Sequence, residues 1–296
     1  MSHFESPTLS VCICTYNRAN YLAELLVLLK DADWHDGDEL IVIDNRSTDH
    51  TAQVIEAAKA YDLPLKAQYE PQQGLSNARN TGLAAAGNEC VVFIDNDILP
   101  EEGFLTAYRA AFSESPSVGF FGGRISIDWP DGSPPSWWLS QDYSLLNGLL
   151  GNYQLGNEQR ALTPSDRLPY GANFALRKSC IDRVGQFDPA LGVSGGDIGR
   201  GEESDYFERA QLLGFSGLYV PKAHVRHRFQ ADRLTLIHLL RYGLAKGRLC
   251  PPRKRTSAYW AACSQLLRGG WQALRGRRAN AYQCLIMIGV HLAEAR

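Results

Sequence analysis

No Cys-x-x-Cys pair occurs in this sequence of 296 residues, and none of its seven cysteines stands near a histidine at zinc-finger spacing. With an odd number of cysteines as well, neither a disulfide framework nor a structural metal site is suggested, and Cys12 and Cys14 read as small residues of a strand. Long apolar runs are also missing. The longest late one, "CLIMIGVHL" from Cys284 to Leu292, falls far short of the roughly 20 residues that cross a bilayer. The opening "MSHFESPTLS" has no basic stretch followed by an apolar one, so the expectation is a chain without a secretory leader, working in the cytoplasm. No segment repeats at a fixed period. What is present is ordinary: 45% hydrophobic and 21% charged residues, which suits a soluble globular protein with one large domain or two small ones.

The net charge of −2 conceals a division. Residues 241–296 hold eleven Lys and Arg against the single acid Glu294, a net of +10; the remainder holds 19 basic against 31 acidic residues, a net of −12. A split of that kind implies separate partners for the two segments.

Strand and helix periods alternate through the first hundred residues. "LSVCICT" (Leu9 to Thr15) reads as a strand, and behind Asn20 as N-cap a helix places Leu22, Leu25, Leu26 and Leu29 on one face. "ELIVID" (Glu39 to Asp44) is a second strand, after which Ser47 and Asp49 suit the cap of a helix running toward Tyr61. A short "LKAQYE" strand precedes a helix opened by Ser76 and closed by Gly87, and "CVVFID" is the fourth strand. Such alternation predicts an α/β fold with a Rossmann-like, mainly parallel sheet flanked by helices, which explains the near-continuous apolar strands. Ligands gather at the carboxyl ends of such strands. Three of those ends are polar: Thr15 to Arg18, Asp44 to Asp49, and Asp95 to Asp97. From Asp128 to Leu168 the texture is Trp, Pro, Gly and Asn without clear period, read as a long loop or insertion. Regular patterns return with "YGANFALRK", a helix from Glu202 and the strand "GLYV".

Residues i and i+2 of a strand point to one side, so Asp95 and Asp97 can face one point. Two carboxylates there repel unless a cation sits between them, and a hard divalent ion, Mn²⁺ or Mg²⁺, suits oxygen ligands. The alternative is a turn after a strand, where Asp and Asn are favoured.

Taken in order, "VCICTYNR", "IVIDNRSTDHT", "QGLSNARNTGL" and "FIDND" resemble the nucleotide-sugar half of family 2 glycosyltransferases with the GT-A fold, and "GANFALRK", "GQFD" and "GEESDYFERA" resemble the acceptor half. The resemblance implies a catalytic domain over 1–230, with a nucleotide-sugar-binding half (1–100) and an acceptor-binding half (101–230), and leaves 231–296 as a basic helical extension. It implies transfer of a sugar, with inversion, from a nucleoside diphosphate donor (a UDP-sugar) to a hydroxyl of a saccharide or lipid-linked acceptor, in polysaccharide or glycoconjugate synthesis. Thr15, Tyr16, Asn17 and Arg18 would hold base and phosphates, Asp44 and Asn45 base and ribose, and Arg79 the diphosphate. Many relatives have two aspartates where Asn45 stands. Asp95, beside Asn96, would touch ribose and a metal-bound water, Asp97 the metal, and His227 would add a third metal or diphosphate contact, with Arg226 and Arg228 beside it to meet phosphates. Glu203 is the expected base with Glu202 behind it, although both, with Asp205, also suit the positive end of their helix. The Gly-rich "GVSGGDIGRG" has no preceding strand and no Rossmann or P-loop pattern, and reads as a lid. Trp137 and Trp138 either stack on an acceptor sugar or fill a core. A sugar nucleotidyltransferase would want a Gly-rich phosphate loop that "CTYNRAN" does not supply; a non-catalytic binder would be expected to lose the aspartate pair or the late acid.

Beyond Asp232 a helix is expected with Leu234, Ile237, Leu240 and Leu244 on one face, broken at "CPPRKR". Basic residues alternating with Leu, Trp and Tyr over 241–296 suit either helices resting on anionic lipid or helices packed on the catalytic domain. Nucleic acid is set aside, because no recognised motif accompanies the charge.

Overall fold

The computed structural model of the protein describes residues 6–136, 138, 144–194, 201–248, 255–274 and 278–294. The first hundred residues follow the expected order: β1 (Leu9–Thr15), α1 (Ala19–Leu29), β2 (Glu39–Asp44), α2 (Thr51–Ala58), β3 (Leu65–Tyr69), α3 (Leu75–Ala85) and β4 (Cys90–Asp95). There follow β5 (Ile98–Pro100), α4 (Phe104–Glu114), β6 (Val118–Asp128), α5 (Ser144–Leu150), β7 (Arg160–Ala161), β8 (Asn173–Arg177), α6 (Lys178–Val184), α7 (Glu202–Leu212), β9 (Ser216–Arg228), α8 (Leu236–Arg248), α9 (Arg255–Leu274) and α10 (Arg278–Glu294).

Among the described residues the strands form one nine-stranded sheet ordered β3-β2-β1-β4-β8-β6-β9-β5, with β7 against β9. Its β3-β2-β1-β4 part is parallel, as the alternation of strands and helices requires. The antiparallel pairs of β8 with β4 and β6, and of β9 with β5 and β7, make the whole sheet mixed. Two apolar layers cover the sheet: Leu22, Leu25, Leu26, Val42 and Phe104 on one face, and Ile41, Phe93, Phe174, Phe187 and Phe207 on the other.

Two compact units divide the described chain: residues within 6–126, 153–194 and 201–227, and residues within 127–152 and 228–294. In the second, the stretch read as an aperiodic loop contains α5, whose Leu146, Leu149 and Leu150 are buried with Leu239, Tyr242 and Ile286. Seven residues make too short a window for a helical period to stand out. Trp138 packs edge-on against Trp129, at 5.3 Å between ring centres, as part of this core; Trp137 lies outside the described residues. On α8 the buried face is Leu239, Tyr242, Gly243 and Gly247, while Ile237 of the expected face is 66% exposed. Close backbone approach decides this. A Cβ on Gly243 would lie 2.0 Å from the Ile286 carbonyl oxygen, and one on Gly289 would lie 2.4 Å from that of Leu240.

Candidate active site

The polar ends of β1, β2 and β4 lie side by side by register, with Thr15 opposite Asp44 and Cys14 opposite Asp95. The loops between them are tied by side chains. Asn17 sits in the left-handed region (φ 49°), which Asn tolerates, and its Oδ1 accepts the Thr48 amide at 2.7 Å. Ser47 Oγ accepts the Asn17 amide at 3.0 Å, and Asp44 Oδ1 accepts that of Ser47 at 2.9 Å. Neither Asn20 nor Ser47 caps a helix. Asp49 serves both: its Oδ2 accepts the Ala19 amide that opens α1 and its Oδ1 the Thr51 amide that opens α2, at 3.1 and 3.0 Å. The same reach across loops places Ser76, inside the first turn of α3, against the Leu191 carbonyl (2.8 Å), while Gly74 stands at the cap with φ 139°.

Asn45 is buried and fully engaged. Its Nδ2 donates to the Glu70 and Gln72 carbonyls at 3.2 and 2.7 Å, and its Oδ1 accepts the Gly74 amide at 2.8 Å. An aspartate could not make the two donations, so the amide holds the β3–α3 loop in place. Asn96 Nδ2 donates to Thr15 Oγ1 at 2.8 Å, locking β4 to β1. Tyr16 is 37% exposed beside them.

Ile98 pairs with His227 across β5 and β9, which carries the imidazole to Asp97. His227 Nε2 stands 3.4 Å from Asp97 Oδ1, and ligand atoms of Asp95, Asp97 and His227 all lie within 4.8 Å of one another. Arg18 Nη1 donates to Asp97 Oδ2 at 3.1 Å. Burial, then the neighbouring Asp97, raises the pKa of Asp95; Arg79 and His227 oppose the rise and Glu203 adds to it. His227 Nδ1 is buried without a hydrogen-bond partner among the described residues, a deficit that native sites make good with an ion or water. Two carboxylates and an imidazole fit Mn²⁺ or Mg²⁺ as a donor set. Strand alternation turns Arg226 away from His227, and it pairs with Glu101 at 2.6 Å. His224 bonds Ser126 Oγ through Nε2 at 2.8 Å, outside the trio.

Arg79, expected at a diphosphate, is 2% exposed. Its Nη1 donates to Glu202 Oε1 at 2.8 Å, and its guanidinium lies over Phe174 and Phe187, 5.4 and 5.6 Å from the ring centres. Burial and then Glu203 push the Glu202 carboxyl up to about 8, against the pull of Arg79. Glu203 is half-buried, and a Cβ on Gly171 would lie 3.7 Å from its Oε1. Glu202 and Glu203 open α7 behind Gly201, whose φ of 100° suits glycine. Of the Gly-rich segment, residues 195–200 lie outside the described residues; its start is tied to α3, with the Leu75 amide donating to the Val193 carbonyl at 2.9 Å.

Two supports were not legible as such. Asn173 accepts from Tyr108 Oη at 2.8 Å and donates to the Arg124 and Ala223 carbonyls at 3.1 and 2.8 Å, tying β8 to both β6 and β9. Asn80 exchanges two hydrogen bonds with the backbone of Phe187, at 2.9 and 2.8 Å, fixing that ring under Arg79. Both lie in stretches quoted above, but spacing alone does not separate a clamp from a ligand contact.

The profile described as Glycosyl transferase family 2 matches residues 10–185. The chain belongs to this family. Glycosyltransferase AglE of Haloferax volcanii is 26% identical over 212 residues, 71% of this chain and 63% of that protein. A putative glycosyltransferase of Bacillus subtilis, EpsH, is 31% identical over 93 residues, 31% of this chain and 27% of its own. This family 2 chain therefore spans less than two thirds of the length of these relatives. Among solved structures, the mannosyltransferase PcManGT from Pyrobaculum calidifontis in complex with GDP-Man and Mn²⁺ aligns with a TM-score of 0.62 at 20% identity, covering 97% of this chain and 88% of that one. S. aureus TarS 1-349 in complex with UDP-GlcNAc aligns at 0.57 and 21% identity, covering 80% and 65%. The family 2 fold is thus the GT-A arrangement, a central sheet flanked by helices.

Proposed function

We propose that this protein is a metal-dependent, inverting glycosyltransferase that moves a sugar from a nucleoside diphosphate, a UDP-sugar, to a hydroxyl of a saccharide or lipid-linked saccharide in glycoconjugate synthesis. The observation that carries the reading is the gathering of Asp95, Asp97 and His227 within 4.8 Å, with the electrostatic influence of Glu203 reaching Asp95. Tyr16, Asn17 and Asp44 would line the nucleoside, and Arg18 would meet phosphate, with Thr15, Asn45 and Asn96 holding their loops. Residues 1–100 form the donor half in this reading and 101–230 the acceptor half.

Asp95, Asp97 and His227 would hold a divalent cation, which when bound would supply positive charge for the departing diphosphate. Glu203 takes the proton of the acceptor hydroxyl as that oxygen bonds to the anomeric carbon. The bond to the diphosphate oxygen breaks on the opposite face, and its electron pair leaves with the diphosphate. Glu202, buried and held by Arg79, orients the start of α7 and does not touch substrate.

The test is diphosphate release from a panel of nucleotide sugars with Mn²⁺ and a saccharide acceptor. Release is expected from one donor and lost in Asp97→Ala. Glu203→Gln should keep donor affinity while kcat falls by a factor on the order of 10² to 10⁴. Full turnover in Glu203→Gln would move the base elsewhere, and donor binding with no turnover on any acceptor would leave only a binding protein.

A further inference from the structure

Arg18 sits between two fixed points. On one side the Asn17 amide donates to Ser47 Oγ at 3.0 Å, and on the other the Ala19 amide donates to Asp49 Oδ2 at 3.1 Å. The backbone at Arg18 is therefore held, and its side chain is the part that can turn. That side chain makes a single hydrogen bond among the described residues, from Nη1 to Asp97 Oδ2 at 3.1 Å, and its guanidinium lies over the Tyr21 ring, 5.4 Å from the centre. The Arg18 side chain is 37% exposed and that of Asp97 6%. Two other arginine–carboxylate pairs are built to stay. Arg109 meets Asp38 through two nitrogens, at 2.9 and 2.6 Å, and Arg79 meets Glu202 at 2.8 Å, with all four side chains 5% exposed or less. A fork-to-fork or desolvated contact fixes a charged pair, whereas one longer bond from a side chain open to water is readily given up.

The carboxylate that Arg18 holds belongs to the trio of Asp95, Asp97 and His227, whose ligand atoms lie within 4.8 Å of one another. A buried carboxylate needs a positive partner, and Arg18 supplies one from the rim of the site. A divalent cation at the trio and the guanidinium would then stand against the same carboxylate, and like charges so close repel. A diphosphate offers the guanidinium another partner, because the planar fork of arginine suits phosphate oxygens. The cation is opposed less once Arg18 has that partner, and the diphosphate gains Arg18 once the cation has replaced it at Asp97. Two ligands related in this way are joined by a coupling free energy that acts equally on both.

We propose that Arg18 is an exchangeable counter-ion: it neutralises Asp97 in the metal-free protein and passes to the diphosphate of the donor when a divalent cation takes its place, so that cation and nucleotide favour each other's binding. This rests on the site assigned above and adds the exchange to it. The test reads binding rather than turnover. Mn²⁺ alone is titrated into the intact protein and into Arg18→Gln, with the free ion followed by electron spin resonance. UDP and GDP are then titrated calorimetrically at saturating Mn²⁺. Arg18→Gln should bind Mn²⁺ alone about three- to tenfold more tightly, and the nucleotide in the presence of Mn²⁺ about tenfold more weakly. Opposite signs from one substitution are the mark of an exchange, since a side chain that only supports the loop would weaken both. Arg18→Lys keeps the charge and should return both affinities toward wild type. Adding Asp97→Asn to Arg18→Gln should abolish the gain in Mn²⁺ affinity. If wild type binds Mn²⁺ and a nucleotide but Arg18→Gln binds Mn²⁺ no more tightly, or the nucleotide no more weakly, the exchange is overturned and the site assignment stands. A wild type that binds no Mn²⁺, or binds it no better than Asp97→Asn, overturns both.

Discussion

Glu202 and Glu203 are adjacent in sequence and differ in what surrounds them. Glu202 is buried against Arg79, 2.8 Å away, and Glu203 is only half-buried. That difference supports the division of labour proposed here: a reacting carboxylate can exchange protons with substrate only if it reaches the cleft. The raised pKa of Glu202, about 8 against an ordinary 4.5, has a measurable sign. Folding favours its protonated form, so the stabilisation is fully present below pH of about 4.5 and is lost as pH rises through about 8. Metal-free wild-type protein is expected to lose unfolding free energy between these values, and Glu202→Gln to flatten the curve there. A wild-type to variant difference that stays constant with pH would reject the raised pKa. Asn45 teaches a related lesson. In the sequence it departs from a common pair of aspartates, whereas in the fold it makes two donations that only an amide can make.

At the scale of elements, the strands β1, β2 and β4 were legible because each is a near-continuous apolar run bounded by polar turns, whereas β3 is a short, largely exposed strand at the sheet edge. Helix starts were less so. Asp49, expected with Ser47 at the start of α2, does accept the Thr51 amide there, yet it also reaches the Ala19 amide of α1, where Asn20 was expected to cap. Capping preferences describe a residue's own helix, and a side chain that serves another helix leaves no local pattern. The face of α8 was misjudged for a similar reason: leucine spacing suggested one stripe, but Gly243, Gly247 and Gly289 let backbones meet on another. Gly289→Ala is therefore expected to cost about 1–3 kcal/mol. Gly270 has nothing within 4 Å of an added Cβ, and Gly270→Ala should stabilise by about 0.5–1 kcal/mol. Thermal unfolding of the two variants checks the pair, and equal effects would contradict the packing of α10 on α8.

For the molecule as a whole, the site gathers the Asp95 and Asp97 carboxylates and the His227 imidazole at one point, a donor set that suits a divalent cation. A ligand bound only by the folded state stabilises it by mass action. Mn²⁺ at about 100 times its dissociation constant should add about 2.7 kcal/mol, seen as a rise in Tm, and Asp97→Asn or His227→Ala should remove most of it. An equal rise in Asp97→Asn would place the ion elsewhere.

The amino-acid sequence determined the parallel half of the sheet, the polar ends of its strands and the aspartate pair, because each depends on neighbours within a few positions. It also determined the charge division, which is a matter of counting. Only the tertiary structure decided that His227 meets Asp97, through the pairing of Ile98 with His227, that Arg79 belongs to Glu202 rather than standing open to a ligand, and that Arg18 reaches Asp97. Those facts rest on contacts between residues far apart along the chain, and which distant groups meet is set by how strands pair and backbones approach, which no local pattern records.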